Sequence, residues 1–138
     1  MIRLFAFIVT LTLGQAFGQQ VEPLLLPKDI PWNTEALKKA PKFDWVRQKG
    51  KVHALMYAGE KYRGNETRVF AYYASPKTLG QSVDNDVPGI VLVHGGGGTA
   101  FANWAMLWAK RGYAAIAMDL AGCGEERKRL SDGGPNQS

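Results

Sequence analysis

The sequence predicts an α/β fold in which an antiparallel β-hairpin is followed by a βαβ unit, as the first part of an incomplete sheet. Two stretches of strand-forming residues, 52–59 and 67–74, flank a turn signal at Gly64 and Asn65. Further along, an unbroken apolar run at 90–93, a helical apolar pattern and a second apolar run at 113–118 follow one another. These patterns indicate a sheet that begins antiparallel and continues with parallel strands.

The chain begins with a segment typical of exported proteins. Arg3 precedes about ten apolar residues, which are too few to cross a bilayer, and small residues at Ala16 and Gly18 fit a cleavage site. Residues 1–18 are therefore predicted to be a signal peptide cleaved after Gly18, with cleavage after Ala16 as the alternative. We expect the mature protein to be secreted or periplasmic, with no membrane attachment after cleavage.

Residues 19–51 are predicted to form an N-terminal arm. Three prolines among leucines favour an extended segment, and Asn33 or Thr34 can cap a short helix that runs to Ala40. Pro41 ends this helix because proline lacks the N–H that a helix interior needs. Between the predicted hairpin and the next strand, residues 75–88 are polar and are expected to form an exposed loop.

The βαβ unit is the clearest pattern in the sequence. The run at 90–93 is expected to be buried on both faces of the sheet, as parallel strands are. Thr99 can cap the following helix, and four of its residues recur at helical spacing and should face the sheet: Phe101, Trp104, Ala105 and Trp108. The second strand ends at Asp119, which places Asp119 and the preceding glycines on the same edge of the sheet. The remaining residues, 120–138, are predicted to form a loop.

Charge and cysteine content exclude several classes of function. The net charge is +5, but no aromatic series or known motif accompanies the basic residues, so we expect a solvated face and no nucleic-acid partner. The single cysteine, Cys123, cannot form an internal disulfide. One cysteine and two distant histidines cannot build a metal cluster, and we expect no metal and no cofactor.

The glycine loop, which we define as residues 94–98 (His94, Gly95, Gly96, Gly97 and Gly98), can serve two chemistries. Successive glycines after a strand let backbone N–H groups approach a negatively charged oxygen. A His-Gly-Gly-Gly sequence at this position supplies an N–H to the oxyanion hole of ester hydrolases, and Gly96 and Gly97 are the predicted donors. Alternatively, Gly95, Gly97 and Ala100 match the dinucleotide fingerprint, with Asp119 about 20 residues further on. The predicted hairpin, the export signal and the histidine before the glycines argue against this second interpretation.

From about residue 52 the sequence resembles secreted α/β hydrolases of the acetylxylan-esterase and prolyl-oligopeptidase-like group, which are related to dienelactone hydrolases. The resemblance rests on YRG at 62–64 with TRVF at 67–70, on VLVHGGGGTAF at 91–101 and on RGYAAIAMD at 111–119. It implies that 52–138 is the N-terminal portion of an α/β-hydrolase domain that cleaves ester or peptide bonds with a Ser–Asp–His triad. It also implies that His94 shapes the oxyanion loop through its hydrogen bonds and that Asp119 fixes the loop after its strand. An ester of a small molecule or a carbohydrate is the implied substrate.

The catalytic residues of such a hydrolase are missing from this sequence. No G-x-S-x-G elbow follows Asp119, and the nearest approach, at Ser82, precedes the glycine loop and lacks the second glycine. Both His53 and His94 precede any possible elbow, and no base can be named for Cys123. We therefore expect an N-terminal fragment of an ester hydrolase that is nearly inactive and poorly soluble alone. The alternative from another class is a complete, non-catalytic exported binding protein.

Overall fold

The computed structural model describes residues 33–81 and 86–135, so the predicted signal peptide and residues 19–32 of the predicted arm lie outside the described residues. The described residues from Glu35 onward belong to one compact unit. The described elements, in chain order, are α1 (Thr34–Leu37), β1 (Phe43–Arg47), β2 (His53–Ala58), β3 (Arg68–Ala74), β4 (Gly89–Val93), α2 (Ala102–Ala109) and β5 (Ala114–Met118).

The five strands form a single mixed sheet in the order β1-β2-β3-β5-β4. Three neighbouring pairs, β1 with β2, β2 with β3 and β3 with β5, are antiparallel, and β4 with β5 is parallel. The predicted hairpin corresponds to β2 and β3, and the predicted strand–helix–strand unit corresponds to β4, α2 and β5. The parallel pair needs a crossover, which α2 provides, whereas β1 with β2 and β2 with β3 are consecutive antiparallel strands joined without one.

The predicted fold class, the N-terminal part of an α/β-hydrolase sheet, is nevertheless wrong. The described residues form a small mixed sheet that is mostly strand, with one helix of four residues and one of eight. Within the described part of the chain, α2 alone packs on the sheet as a helix, against β3, β4 and β5. The prediction extended one βαβ unit to the whole fold, but β1 adds to the sheet by antiparallel pairing, which requires no helical layer.

The strand β4 differs most from its prediction, because it is an edge strand and is not buried on both faces. Ile90 and Leu92 pack against the core on one face, whereas Val91 and Val93 are 63% and 53% exposed on the other. The side chains of this apolar run therefore alternate between a packed face and an exposed face of the sheet. We call this uncovered side the open face; it is lined by Phe43, Trp45, Leu55, Tyr57, Tyr73, Val91, Ile116 and Met118.

Small side chains allow α2 to lie close to the sheet. Ala105 and Ala109 are fully buried against Ala74, Ala115 and Ala117 of β3 and β5. The helix starts at Ala102, with Phe101 at its N-cap and no side-chain cap. Two predictions for this helix are therefore wrong, since Thr99 does not cap it and Trp104 is 39% exposed and does not face the sheet.

The hairpin turn and the helix α1 also depart slightly from prediction. Tyr62 and Asn65 exchange backbone hydrogen bonds of 2.9 and 3.0 Å across the two central residues Arg63 and Gly64. Both central residues have positive φ, 51° and 80°, as a type I′ turn requires. The turn is thus one residue earlier than predicted, and α1, which ends at Leu37, is shorter than the helix predicted to run to Ala40.

Candidate functional site

The parallel pair of strands brings the glycine loop and Asp119 together. Val93 is opposite Met118 in the register of β4 and β5, so the next residues, His94 and Asp119, leave the sheet side by side. His94 Nε2 lies 3.7 Å from Asp119 Oδ1, and the two side chains are only 3% and 0% exposed. The sequence-based expectation that both lie on one edge of the sheet is confirmed.

His94 joins the two loops through both ring nitrogens. The backbone N–H of Leu120 donates to Nε2 at 2.9 Å, so Nε2 must be the unprotonated nitrogen. Nδ1 therefore carries the proton and donates it to the carbonyl oxygen of Gly95 at 2.7 Å. The ring is a neutral structural bridge in this arrangement, and neither nitrogen is free to accept a proton from a nucleophile.

Asp119 ties the same two loops together a second time. Its Oδ2 accepts the backbone N–H of Cys123 at 2.7 Å, and its Oδ1 accepts the hydroxyl of Thr99 at 3.2 Å. Its own N–H donates to the carbonyl of Phe70 at 2.8 Å. A buried carboxylate of this kind is stabilised because each oxygen has a donor. Thr99, predicted to cap α2, thus supports Asp119, a role for which no sequence pattern was available.

The glycine loop contains a tight turn. Gly98 N–H donates to Gly95 O at 3.1 Å, and Gly97, at φ 71°, occupies the third turn position, while Gly96 has no positive φ. These features fit a type II turn, which needs glycine at the third position. A Cβ on Gly98 would lie 2.8 Å from His94 Nδ1, so the His94 ring packs directly on this glycine.

The predicted donors lie at the exposed part of the turn. Among residues 33–81 and 86–135, no acceptor is found for the N–H of Gly96 or of Gly97, whereas the N–H of Gly98 is used by the turn. Nothing lies within 4 Å of where a Cβ on Gly95, Gly96 or Gly97 would be. An oxygen from outside the chain can therefore reach these groups.

One cavity is lined by the glycine loop, and a second shares Thr99 and Arg127 with it. The first, which we call the glycine-loop cavity, has a volume of about 410 Å³ and is lined by Gly97, Gly98, Thr99, Ala121, Cys123, Arg127 and Arg129. The second has a volume of about 250 Å³ and includes Thr99, Phe101, Tyr72 and Arg127 among its lining residues. Burial, with a smaller contribution from the carboxylate of Glu125, raises the pKa of Tyr72. Arg127 and Arg129 were not singled out by the sequence, in which residues 120–138 read only as a loop.

The nucleophile candidates do not meet the glycine loop. Ser82 and Ser138 lie outside the described residues. Ser75 is buried at the end of β3, where its Oγ accepts the N–H of Thr78, and neither Ser75 nor Ser131 lines the glycine-loop cavity. Cys123 does line it, but its thiol contacts Ala121 O at 3.8 Å, and both nitrogens of His94 are already bonded.

The dinucleotide interpretation gains no support from this geometry. It needs Asp119 to face a ribose hydroxyl, whereas both carboxylate oxygens of Asp119 are bonded inside the protein. It also needs a helix that starts at the glycines, but α2 starts at Ala102. Among the described residues there is no cluster of three His, Cys, Asp or Glu that could hold a metal ion.

No helix in the described ranges is long and apolar enough to cross a membrane. Comparisons of the chain with models of protein families, with curated proteins and with solved structures found no match.

Proposed function

We propose that this protein is an exported serine hydrolase of carboxylic esters and that the glycine loop forms its oxyanion hole. The observation that carries the proposal is the pair of N–H groups on Gly96 and Gly97, which have no acceptor in the described residues. Backbone donors of this kind stabilise the negative oxygen that develops on an ester carbonyl during attack. The likeness of residues 91–101 to acetylxylan-esterase-like hydrolases is the reason for proposing acyl esters of carbohydrates or small molecules as substrates.

The rigidity of the loop supports this role. Donors accelerate a reaction only if they are oriented before charge develops, since reorienting them afterwards would cost free energy. The two bonds of His94 and the two acceptors of Asp119 hold the glycine loop against the loop that follows β5. Both side chains are buried, so water competes little for these bonds.

The proposal assigns no catalytic residue to the described part of the chain. The serine, aspartate and histidine of a triad must come from other residues of the complete enzyme, because His94 has no free nitrogen and neither Ser75 nor Ser131 lines the cavity. The described residues contribute the oxyanion donors and the walls around them. Without nucleophile and base, only a small residual rate from the oxyanion hole is expected.

Replacing Gly96 with proline is the sharpest test. Gly96 is the second residue of the turn, a position that proline favours in type II turns, so Gly96→Pro should keep the loop while removing its N–H. We expect kcat for para-nitrophenyl acetate, measured on the full-length gene product, to fall about 100-fold or more. Gly96→Ala, which keeps the N–H and has free space for the methyl group, is the matched control and should retain most of the activity.

Equal kcat in Gly96→Pro and Gly96→Ala would overturn the assignment of the donor. A full-length gene product that hydrolyses no ester would overturn the enzymatic proposal and favour the non-catalytic exported binding protein. Tight binding of a nicotinamide or flavin cofactor, followed by fluorescence, would instead favour the dinucleotide interpretation.

A further inference from the structure

We infer that the glycine-loop cavity binds an anionic oxygen group, a carboxylate or a phosphate, that belongs to the same molecule as the scissile ester. The inference rests on the proposed function, since it adds a charge preference to that ester substrate. It concerns Arg127 and Arg129, which line the cavity together with Gly97 and Gly98.

The charges that line the cavity are all positive. Of the described residues that line it, Gly97, Gly98, Thr99, Ala121 and Cys123 contribute uncharged groups, so that within residues 33–81 and 86–135 the two arginines are its only ionic side chains. Its volume of about 410 Å³ is in the range of small-molecule sites. A cleft lined by charge of one sign concentrates ligands of the opposite sign.

Neither arginine is neutralised by a carboxylate within residues 33–81 and 86–135. The guanidinium of Arg129 donates to two backbone carbonyls, those of Ala121 and Gly134, which position it without removing its charge. The side chain of Arg127 has no hydrogen-bond acceptor or ion-pair partner in those ranges. Two positive charges therefore remain available to a ligand.

The acidic residues of the same segment are engaged elsewhere. Glu125 bonds the guanidinium of Arg47 at 2.6 Å, and Glu126 bonds the adjacent Lys128 at 2.6 Å. Asp132 pairs with Arg68 on β3. Their carboxylates do not line the glycine-loop cavity, which explains how the cavity keeps its charge next to an acidic stretch of chain.

The backbone of Arg127 adds a second observation. Arg127 has a φ of 60°, a left-handed conformation that is uncommon for residues other than glycine and asparagine. Its N–H donates to Gly124 O at 3.0 Å, which closes the turn that carries it. Positive φ also occurs at Arg63, where the geometry of the hairpin turn accounts for it. At Arg127 the turn carries a guanidinium that lines the cavity, and a guanidinium can bind carboxylate or phosphate through two parallel hydrogen bonds.

The test compares para-acetoxybenzoate with its uncharged methyl ester, two esters that differ mainly in the remote charge, on the full-length gene product. We expect Arg127→Asn to lower the ratio of kcat/KM for the anionic ester over the neutral ester about tenfold, with partial rescue by Arg127→Lys. Asparagine tolerates the left-handed conformation, so Arg127→Asn should fold. Lys128→Asn removes the neighbouring charge, which does not line the cavity, and should leave the ratio unchanged.

An unchanged ratio in Arg127→Asn, with both esters hydrolysed, would overturn the inference and leave the proposed function standing. If neither ester is hydrolysed, the proposed function fails. The binding of small anions to the cavity, measured by NMR titration, then tests the inference. Acetate and inorganic phosphate, used separately, should then shift the amide signals of Gly97 and Gly98 in the wild type and not in Arg127→Asn, and acetamide should shift neither. Shifts from one anion alone would identify the preferred group, and the absence of any shift would overturn the inference.

Discussion

His94 Nε2 accepts the backbone N–H of Leu120 at 2.9 Å, so the residue after one parallel strand is bonded to the second residue after its neighbour. The same ring donates from Nδ1 to Gly95 O, which places the imidazole between the glycine loop and the loop after β5. The ring therefore holds the glycine loop in shape without using the exposed N–H groups of Gly96 and Gly97.

Removing the His94 ring should destabilise the fold. In His94→Ala the N–H of Leu120 loses its partner, while the carbonyl of Gly95 keeps only the N–H of Gly98, and an unsatisfied group held away from water costs about 1–3 kcal/mol. We expect a loss of about 2 kcal/mol in the free energy of unfolding, measured by urea denaturation. His94→Gln keeps an acceptor that can reach Leu120 and should lose about half as much. A His94→Ala variant as stable as the wild type would show that the bridge contributes nothing to folding.

The glycines of the loop should respond differently to alanine, although they are adjacent. At Gly98 the new methyl group would lie 2.8 Å from the buried His94 ring and 3.0 Å from Gly95 O, and overpacking of this kind costs about 1–3 kcal/mol. At Gly97 there is space, but φ is 71°, and alanine is disfavoured there by about 1–2 kcal/mol.

At Gly96 neither obstacle is present, so Gly96→Ala should change stability by less than about 0.5 kcal/mol. Urea denaturation of the three variants gives the order of stability, with Gly96→Ala highest and Gly98→Ala lowest. Equal stabilities for Gly96→Ala and Gly98→Ala would contradict the close packing of His94 on Gly98.

Local patterns in the sequence predicted the hairpin and the order strand, helix, strand, because both depend on residues that are near one another in the chain. They did not predict β1, whose residues Phe43 and Trp45 acquire a strand conformation by pairing with Tyr57 and Leu55. They also misplaced the burial of β4, since an apolar run does not reveal whether one face of a strand or both are covered by other parts of the protein.

The candidate site was predicted in part. His94 and Asp119 follow the two parallel strands, so strand order alone brings them together. The role of Thr99 could not be predicted, because its hydroxyl contacts a residue 20 positions away instead of the nearby helix. Arg127 and Arg129 line the same cavity as the glycines, but they belong to an irregular loop, for which no periodic sequence pattern exists.

Stability at alkaline pH should depend on Tyr57. Burial raises the pKa of Tyr57 above its usual value, so the folded state retains the phenol proton at a pH where the unfolded chain has lost it. The unfolded chain then binds fewer protons than the folded one, and stability should fall as pH rises above about 10. Tyr57→Phe, which loses only a 3.7 Å contact with the sulfur of Met118, should show a smaller fall between pH 8 and pH 11.

Urea denaturation at both pH values measures this effect, and Tyr62→Phe at an exposed position of the hairpin controls for the general loss of a phenol. The same alkaline loss in Tyr57→Phe and in the wild type would contradict the assignment to Tyr57.

The open face of the sheet should make the chain associate with itself. Val91 is 63% exposed on the edge strand β4, beside an apolar hollow of about 520 Å³ on the open face. An apolar edge strand with free backbone groups can pair with another chain, and lysine at such a position opposes pairing through its charge. We expect Val91→Lys to lower the weight-average mass in sedimentation and light scattering, with a change in stability below about 0.5 kcal/mol. Leu37→Lys adds the same charge at a 64% exposed position outside the sheet and should leave association unchanged. An equal decrease in association for both variants would show that net charge, and not the edge strand, controls it.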